Sequence, residues 1–162
     1  TVLDSASYDW NDEGLVTDVY KDHNKPKGLL STLKTNNCLI YSLAGIYAKE
    51  NDWDDVLLVN DDKHVVEAVS SNVFLIKGDE LITPPLSAGC LKGIIRKQIM
   101  QLAPKVNLKV SEKNFSPFEI QRADEMFFTN SIAGVQWVKQ FKKKEFDFKK
   151  SKEISEVLNT LV

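Results

Sequence analysis

An α+β domain, with a mixed sheet and flanking helices, is the fold this sequence predicts. Runs of strand character and runs of helical spacing are interspersed along the chain without a regular strand–helix alternation. Two strand-like runs, 72–77 and 80–83, are separated only by Gly78-Asp79, a turn signal that joins antiparallel neighbours directly. The 162 residues are 43% hydrophobic and 27% charged, a globular composition on a chain long enough to bury one core.

Each element follows from its own residues. The first 14 residues are polar and acidic and read as a tail or connecting arm, and a short strand follows over Leu15 to Tyr20. Lys21 to Lys27 is charged, contains Pro26 and reads as a loop. From Asn37, the residues Leu39, Ile40, Leu43, Ile46 and Tyr47 fall at helical spacing, giving a helix that ends near Asn51. Val56 to Val59 is a continuous apolar run bounded by turn residues, as in a buried strand, and 60–63 turns the chain into a second strand over Val65 to Val69. After the hairpin, Pro84-Pro85 stops the sheet. Gly93 to Ala103 returns to helical spacing through Ile95, Ile99, Met100 and Ala103, with Pro104 ending it. Ser116-Pro117-Phe118-Glu119 has the form of a capping box with proline at the first helical position. Strands are expected over 126–129 and 135–141, and Ile154, Val157, Leu158 and Leu161 form the apolar stripe of a last helix.

Several function classes are disfavoured by composition. A net charge of −2 offers no global attraction to nucleic acid or an anionic membrane. The Lys run at 142–144 is followed by Glu145 and Asp147, which suits a solvated strand end. No apolar run approaches the ~20 residues of a membrane span. Cys38 and Cys90 make no disulfide framework and no CxxC, so a reducing cytosol is the default compartment. His23 and His64 lie in charged stretches without partners at ligand spacing, so no metal site is expected. No repeat, low-complexity tract or flexible linker is present.

Four islands carry the candidate chemistry. Lys34-Thr35-Asn36-Asn37 stands at the head of the first helix. A lysine there is by itself an ordinary solvated side chain; with a lowered proton affinity it becomes an amine able to attack an aldehyde. Glu67 interrupts the apolar run Val65-Val66-Glu67-Ala68-Val69 and could occupy either face of a strand. Ser71-Asn72 follows, either as a polar turn or as a support to a site. Leu91-Lys92-Gly93-Ile94-Ile95-Arg96 places a glycine at a helix start, where free N–H groups and the helix dipole suit a phosphate dianion. Asp124-Glu125 leads into a strand that exits at Thr129-Asn130-Ser131, where hydroxyl and N–H groups cluster.

Taken in order, these islands resemble the class IV aminotransferase family, whose members include branched-chain and D-amino-acid aminotransferases and 4-amino-4-deoxychorismate lyase. The resemblance runs from about Lys21 to Val138. It implies pyridoxal 5′-phosphate as cofactor, with Lys34 as the Schiff-base lysine and proton shuttle and Glu67 as partner of the pyridine nitrogen. It places Ser71 and Asn72 near the cofactor, Leu91 against its ring, and Gly93, Ile94, Ile95 and Ser131 at its phosphate, with Thr129 as a spare hydroxyl. Many relatives carry Thr where this chain has Ile95, so here a backbone N–H remains and a hydroxyl contact does not. Arg96, Asp124 and Glu125 are expected to be structural.

The resemblance further implies a connecting arm and first strand over 1–20 and a cofactor-binding domain over 21–162, matching the larger C-terminal domain of such enzymes. A smaller preceding domain, which supplies a phosphate-binding arginine and much of the substrate pocket, is expected to be missing, and the full-length protein is expected to be a homodimer with the site near its interface. The 162 residues alone are therefore expected to bind cofactor weakly and to turn over slightly or not at all. The first reading of function is amino transfer between an amino acid and a 2-oxo acid. Asn130-Ser131 and Leu86-Ser87-Ala88-Gly89-Cys90 look somewhat more like the lyase, which eliminates pyruvate to leave 4-aminobenzoate. A third reading, of another class, is a non-catalytic domain that keeps the fold and binds a partner or cofactor; retention of both Lys34 and Glu67 argues against it.

Overall fold

The structure is a computed structural model and describes residues 7–161. Among them, nine strands form one mixed sheet: β1 (Leu15–Val19), β2 (Asp55–Val59), β3 (Val65–Ala68), β4 (Asn72–Lys77), β5 (Glu80–Thr83), β6 (Lys109–Glu112), β7 (Glu125–Asn130), β8 (Gly134–Phe141) and β9 (Lys144–Glu145). Three helices, α1 (Leu39–Glu50), α2 (Ile94–Leu102) and α3 (Lys149–Asn159), flank it. Across the sheet the order is β3-β2-β1-β8-β7-β4-β5-β6, with β9 added to β8. β1 runs parallel to both β2 and β8, and β5 parallel to β6, while the other pairs are antiparallel. The predicted hairpin is β4–β5, in the register Leu75↔Ile82. The α+β class expected from sequence is the observed one.

Both faces of the sheet are covered, which is why its central strands read as unbroken apolar runs. Adjacent residues of one strand serve opposite cores, because side chains alternate across a sheet. Phe128 joins Leu57, Met126, Val138 and Phe141 on one side. Phe127 joins Phe74, Trp137 and the helix residues Ile99, Leu102, Ile154 and Leu158 on the other. Phe74 and Phe127 are cross-strand neighbours with stacked rings 5.0 Å apart.

Besides the short added strand β9, sequence and structure differ in four places. α1 has the predicted span, yet Leu39, Leu43 and Ile46 of its apolar set are exposed and its fully buried residues are Ala44 and Ala48. Small residues let the helix lie close on Val56 and Leu58, leaving the larger side chains outward. The capping-box segment forms only a single 3-10 turn over Glu119–Arg122. Glu119 does reach back to the Ser116 N–H at 2.7 Å. The chain then straightens, because the Asp124 N–H donates to the Ile76 carbonyl and the Asp124 carboxylate accepts the Gly78 N–H. β6 lacks a strand-like sequence signal, since no face of Lys109–Glu112 is fully buried. Finally, residues 8–13 of the expected arm are docked: Tyr8 and Asn159 exchange two hydrogen bonds of 2.9 Å, and the Trp137 indole donates to the Asn11 carbonyl. Residues 1–6 of that arm lie outside the described residues.

Glu125 and Arg96 are structural. Arg96 is buried, donating to the Pro84 carbonyl and pairing with Glu112. Glu125 is 4% exposed and caps α3 from β7, accepting the N–H groups of Lys150 and Ser151, both at 2.8 Å, and the Ser151 hydroxyl. α3 has no side-chain cap of its own at Phe148. Glu125→Ala should therefore cost about 3 kcal/mol by denaturant unfolding, combining a lost cap with orphaned buried donors. A change below about 0.5 kcal/mol would show that the cap carries little.

Candidate active site

A cleft opens where the 23–38 loop and the first turns of α1 face the ends of β3, β4 and β7 and the start of α2. Its volume is about 1310 Å³. All nine site residues read from sequence line it: Lys34, Glu67, Ser71, Asn72, Leu91, Gly93, Ile94, Ile95 and Ser131.

Glu67 is the floor. Like the rest of β3 it is buried, at 1% exposure, and its partners answer the face question: the carboxylate meets Lys25, Tyr41 and the Leu91 N–H at the base of the cleft. One oxygen accepts the Tyr41 hydroxyl at 2.7 Å and the Lys25 ammonium; the other accepts the Leu91 N–H at 2.7 Å. A buried charge requires such partners, because uncompensated burial of an ion is prohibitive. Tyr41 answers to the same cluster. Burial first, and then the adjacent Glu67 charge, push its phenol well above the usual range, so it stays a hydrogen-bond donor.

Around this floor the other residues are locked in sequence. Asn72 donates to the Leu91 carbonyl at 2.9 Å, tying β4 to the segment before α2. Its carboxamide oxygen lies against Gly93, where an added Cβ would stand 2.1 Å from it. Glycine is therefore required at 93 by close approach, as its φ of −66° is ordinary. From Gly93 the chain enters α2 with no side-chain cap, so the N–H groups of Ile94 and Ile95 are among the helix's unpaired first-turn donors. Ser71 accepts from the Asn130 amide at 3.0 Å, and Asn130 in turn accepts the N–H groups of Ile132 and Ala133, shaping the turn that carries Ser131. Thr129, at the end of β7, is buried and lines the cleft, and its hydroxyl has no hydrogen-bond partner.

Lys34 lies in the loop before α1, exposed along the cleft wall and without an ion pair or side-chain hydrogen bond among the described residues. Cys38 and Cys90 are free thiols. Burial pushes the Cys90 thiol up to about 11, which leaves it protonated and unreactive near neutrality. Sequence reasoning missed Lys25 and Tyr41. Tyr41 carried the weaker signal of lying one helical turn beyond Asn37; Lys25, in a charged loop, carried none.

Residues 2–141 match the model of the family described as amino-transferase class IV, and the chain belongs to that family. A probable branched-chain-amino-acid aminotransferase from Thermotoga maritima is 40% identical over 95 residues, which is 59% of this chain and 35% of that protein. An aminodeoxychorismate lyase from Vibrio harveyi is 26% identical over 126 residues, covering 78% of this chain and 46% of that protein. The branched-chain amino acid aminotransferase structure from Escherichia coli shares the fold, with a TM-score of 0.86 at 22% identity over 92% of this chain and 52% of that one. The chain thus spans less than half the length of both curated relatives.

Proposed function

We propose that the protein is a pyridoxal-phosphate-dependent enzyme transferring an amino group between an amino acid and a 2-oxo acid. The observation that carries the reading is the convergence of Lys34, Glu67 and the uncapped start of α2 on one cleft. Three features support the fit of the cofactor: a buried carboxylate with acceptor capacity left, a buried Thr129 hydroxyl without a partner, and two free first-turn N–H donors suited to a phosphate. When bound, the cofactor supplies an aldehyde for amines and a ring that draws electrons from the substrate carbon.

In this reading Lys34 would hold the cofactor covalently, and its amine, once free, would move the proton at the substrate α-carbon. Glu67 would hold the proton of the ring nitrogen. The N–H groups of Ile94 and Ile95, with Ser131, would bind the phosphate, close to the Cβ-free backbone of Gly93. Leu91 would pack on the ring, and Ser71 and Asn72 would brace the floor and the Ser131 turn. Residues 21–162 would form the cofactor domain. The wall is unfinished: Leu29, Leu30, Leu33 and Leu39 at the cleft are strongly exposed, and such apolar surface needs cover. We assign that cover to the remainder of a longer polypeptide and to a homodimer partner. The free thiols support a reducing, cytoplasmic setting.

Branched-chain amino acids are the first donors to test, on the names of the relatives. A lyase reading has its own support in the Vibrio harveyi relative, which covers more of this chain than the Thermotoga maritima one does. Loading the full-length protein with cofactor and assaying both reactions separates them. Amino transfer to a 2-oxo acid is the expected result; pyruvate release from aminodeoxychorismate without transfer would move the assignment to the lyase. The isolated 162 residues should bind cofactor weakly and show slight or no turnover, because water reaches the open wall and weakens each polar contact. Full activity from them would contradict the need for cover.

A further inference from the structure

One of the lysines lining the cleft, Lys25, is buried, and the proposed mechanism leaves it without a task. Lys25 is 3% exposed, and its ammonium pairs with the Glu67 carboxylate. It is built into place from several sides. Its N–H donates to the Val59 carbonyl at 2.8 Å, its ammonium donates to the Ser31 carbonyl at 3.2 Å, and it lies 5.4 Å from the centre of the Tyr41 ring. Lysine is among the residues least often buried, and a surface ion pair would not need four contacts.

Counting acceptors shows what this arrangement does. A carboxylate offers about four lone-pair positions. Lys25, Tyr41 and the Leu91 N–H occupy three, leaving one. With both oxygens tied, the carboxylate can neither rotate nor retract from the cleft, and its charge is balanced before any ligand arrives. Without Lys25, Glu67 would be an isolated buried anion, which is removed by taking up a proton or by turning toward water. Either change abolishes an acceptor aimed at a ring N–H.

We infer that Lys25 is a positioning residue: its buried ammonium holds Glu67 charged and fixed, so that the carboxylate presents one free acceptor position to the nitrogen of a bound pyridine ring. The inference rests on the pyridoxal phosphate reading of the cleft. It makes Lys25 unable to replace Lys34 as the attacking amine, because its own nitrogen is committed to three partners.

The test uses the full-length protein and two probes, pyridoxal phosphate and its deaza analogue, in which a carbon replaces the ring nitrogen. Lys25→Met should weaken pyridoxal phosphate binding by about tenfold or more, the scale of a lost charge-assisted contact, and change deaza-analogue binding by less than about twofold. Lys25→Arg keeps the charge and should restore pyridoxal phosphate affinity to within about threefold. Equal weakening of both probes would overturn the inference, since a lysine that only supports the fold cannot sense the ring nitrogen. If Lys25→Met does not fold, Glu67→Gln is compared with the charge-free Lys25→Met/Glu67→Gln protein. Agreement within about threefold in pyridoxal phosphate affinity is expected when Lys25 acts through Glu67, and a further tenfold loss would refute it. Failure of the wild-type protein to bind either probe would instead refute the cofactor assignment itself.

Discussion

Glu67→Gln should lower turnover by about two or more decades while bound cofactor remains detectable, the scale of losing one positioned electrostatic contact. The structure adds a second consequence. Gln presents one oxygen and one amide nitrogen to a place where three donors converge: the Lys25 ammonium, the Tyr41 hydroxyl and the Leu91 N–H. Whichever way the amide turns, a donor is set against a donor. Lys25 is then left as a buried cation without its anion, a loss of about 3–5 kcal/mol of folding stability. Steady-state kinetics and denaturant unfolding should therefore both move. Unchanged turnover with reduced stability would mean that Glu67 only balances Lys25 and does not serve a cofactor.

Gly93→Ala is the second large effect. A Cβ at this position would stand 2.1 Å from the Asn72 carboxamide oxygen and 3.3 Å from its Cγ, so Asn72 must leave. Asn72 is itself buried and holds the Leu91 carbonyl, and Leu91 holds Glu67. One methyl group thus disturbs the floor carboxylate and the start of α2 together. Overpacking of this kind costs about 1–3 kcal/mol, and cofactor affinity should fall by about tenfold to a hundredfold, as read by absorbance titration. Asn72→Ser added to Gly93→Ala removes the clashing carboxamide and should recover part of the affinity. No loss in Gly93→Ala alone would show that Asn72 can move without consequence.

How far the sequence could be read depended on whether the signal was local. Lys34, Glu67 and the Gly93-Ile94-Ile95 turn sit in short islands whose order survives folding, and the cleft gathers them. Lys25 and Tyr41 could not be found this way. Each meets Glu67 across a long stretch of chain, and a lysine in a charged loop gives no hint that tertiary structure will bury it. α1 failed for another physical reason. Helical spacing identifies an apolar face, but Ala44 and Ala48 win the contact with the sheet because their small size permits close packing, while Leu39, Leu43 and Ile46 remain outside. The capping box at Ser116 and Glu119 was a true local bond with no helix behind it, since the following residues were drawn into β7.

In the proposed mechanism Lys34, and not the buried Lys25, is the amine that carries the cofactor. Borohydride reduction of the cofactor-loaded, full-length protein, followed by peptide mapping, decides between them. A single modified peptide is expected, with the cofactor fixed on Lys34. Modification of Lys25, or of any other lysine, would contradict it.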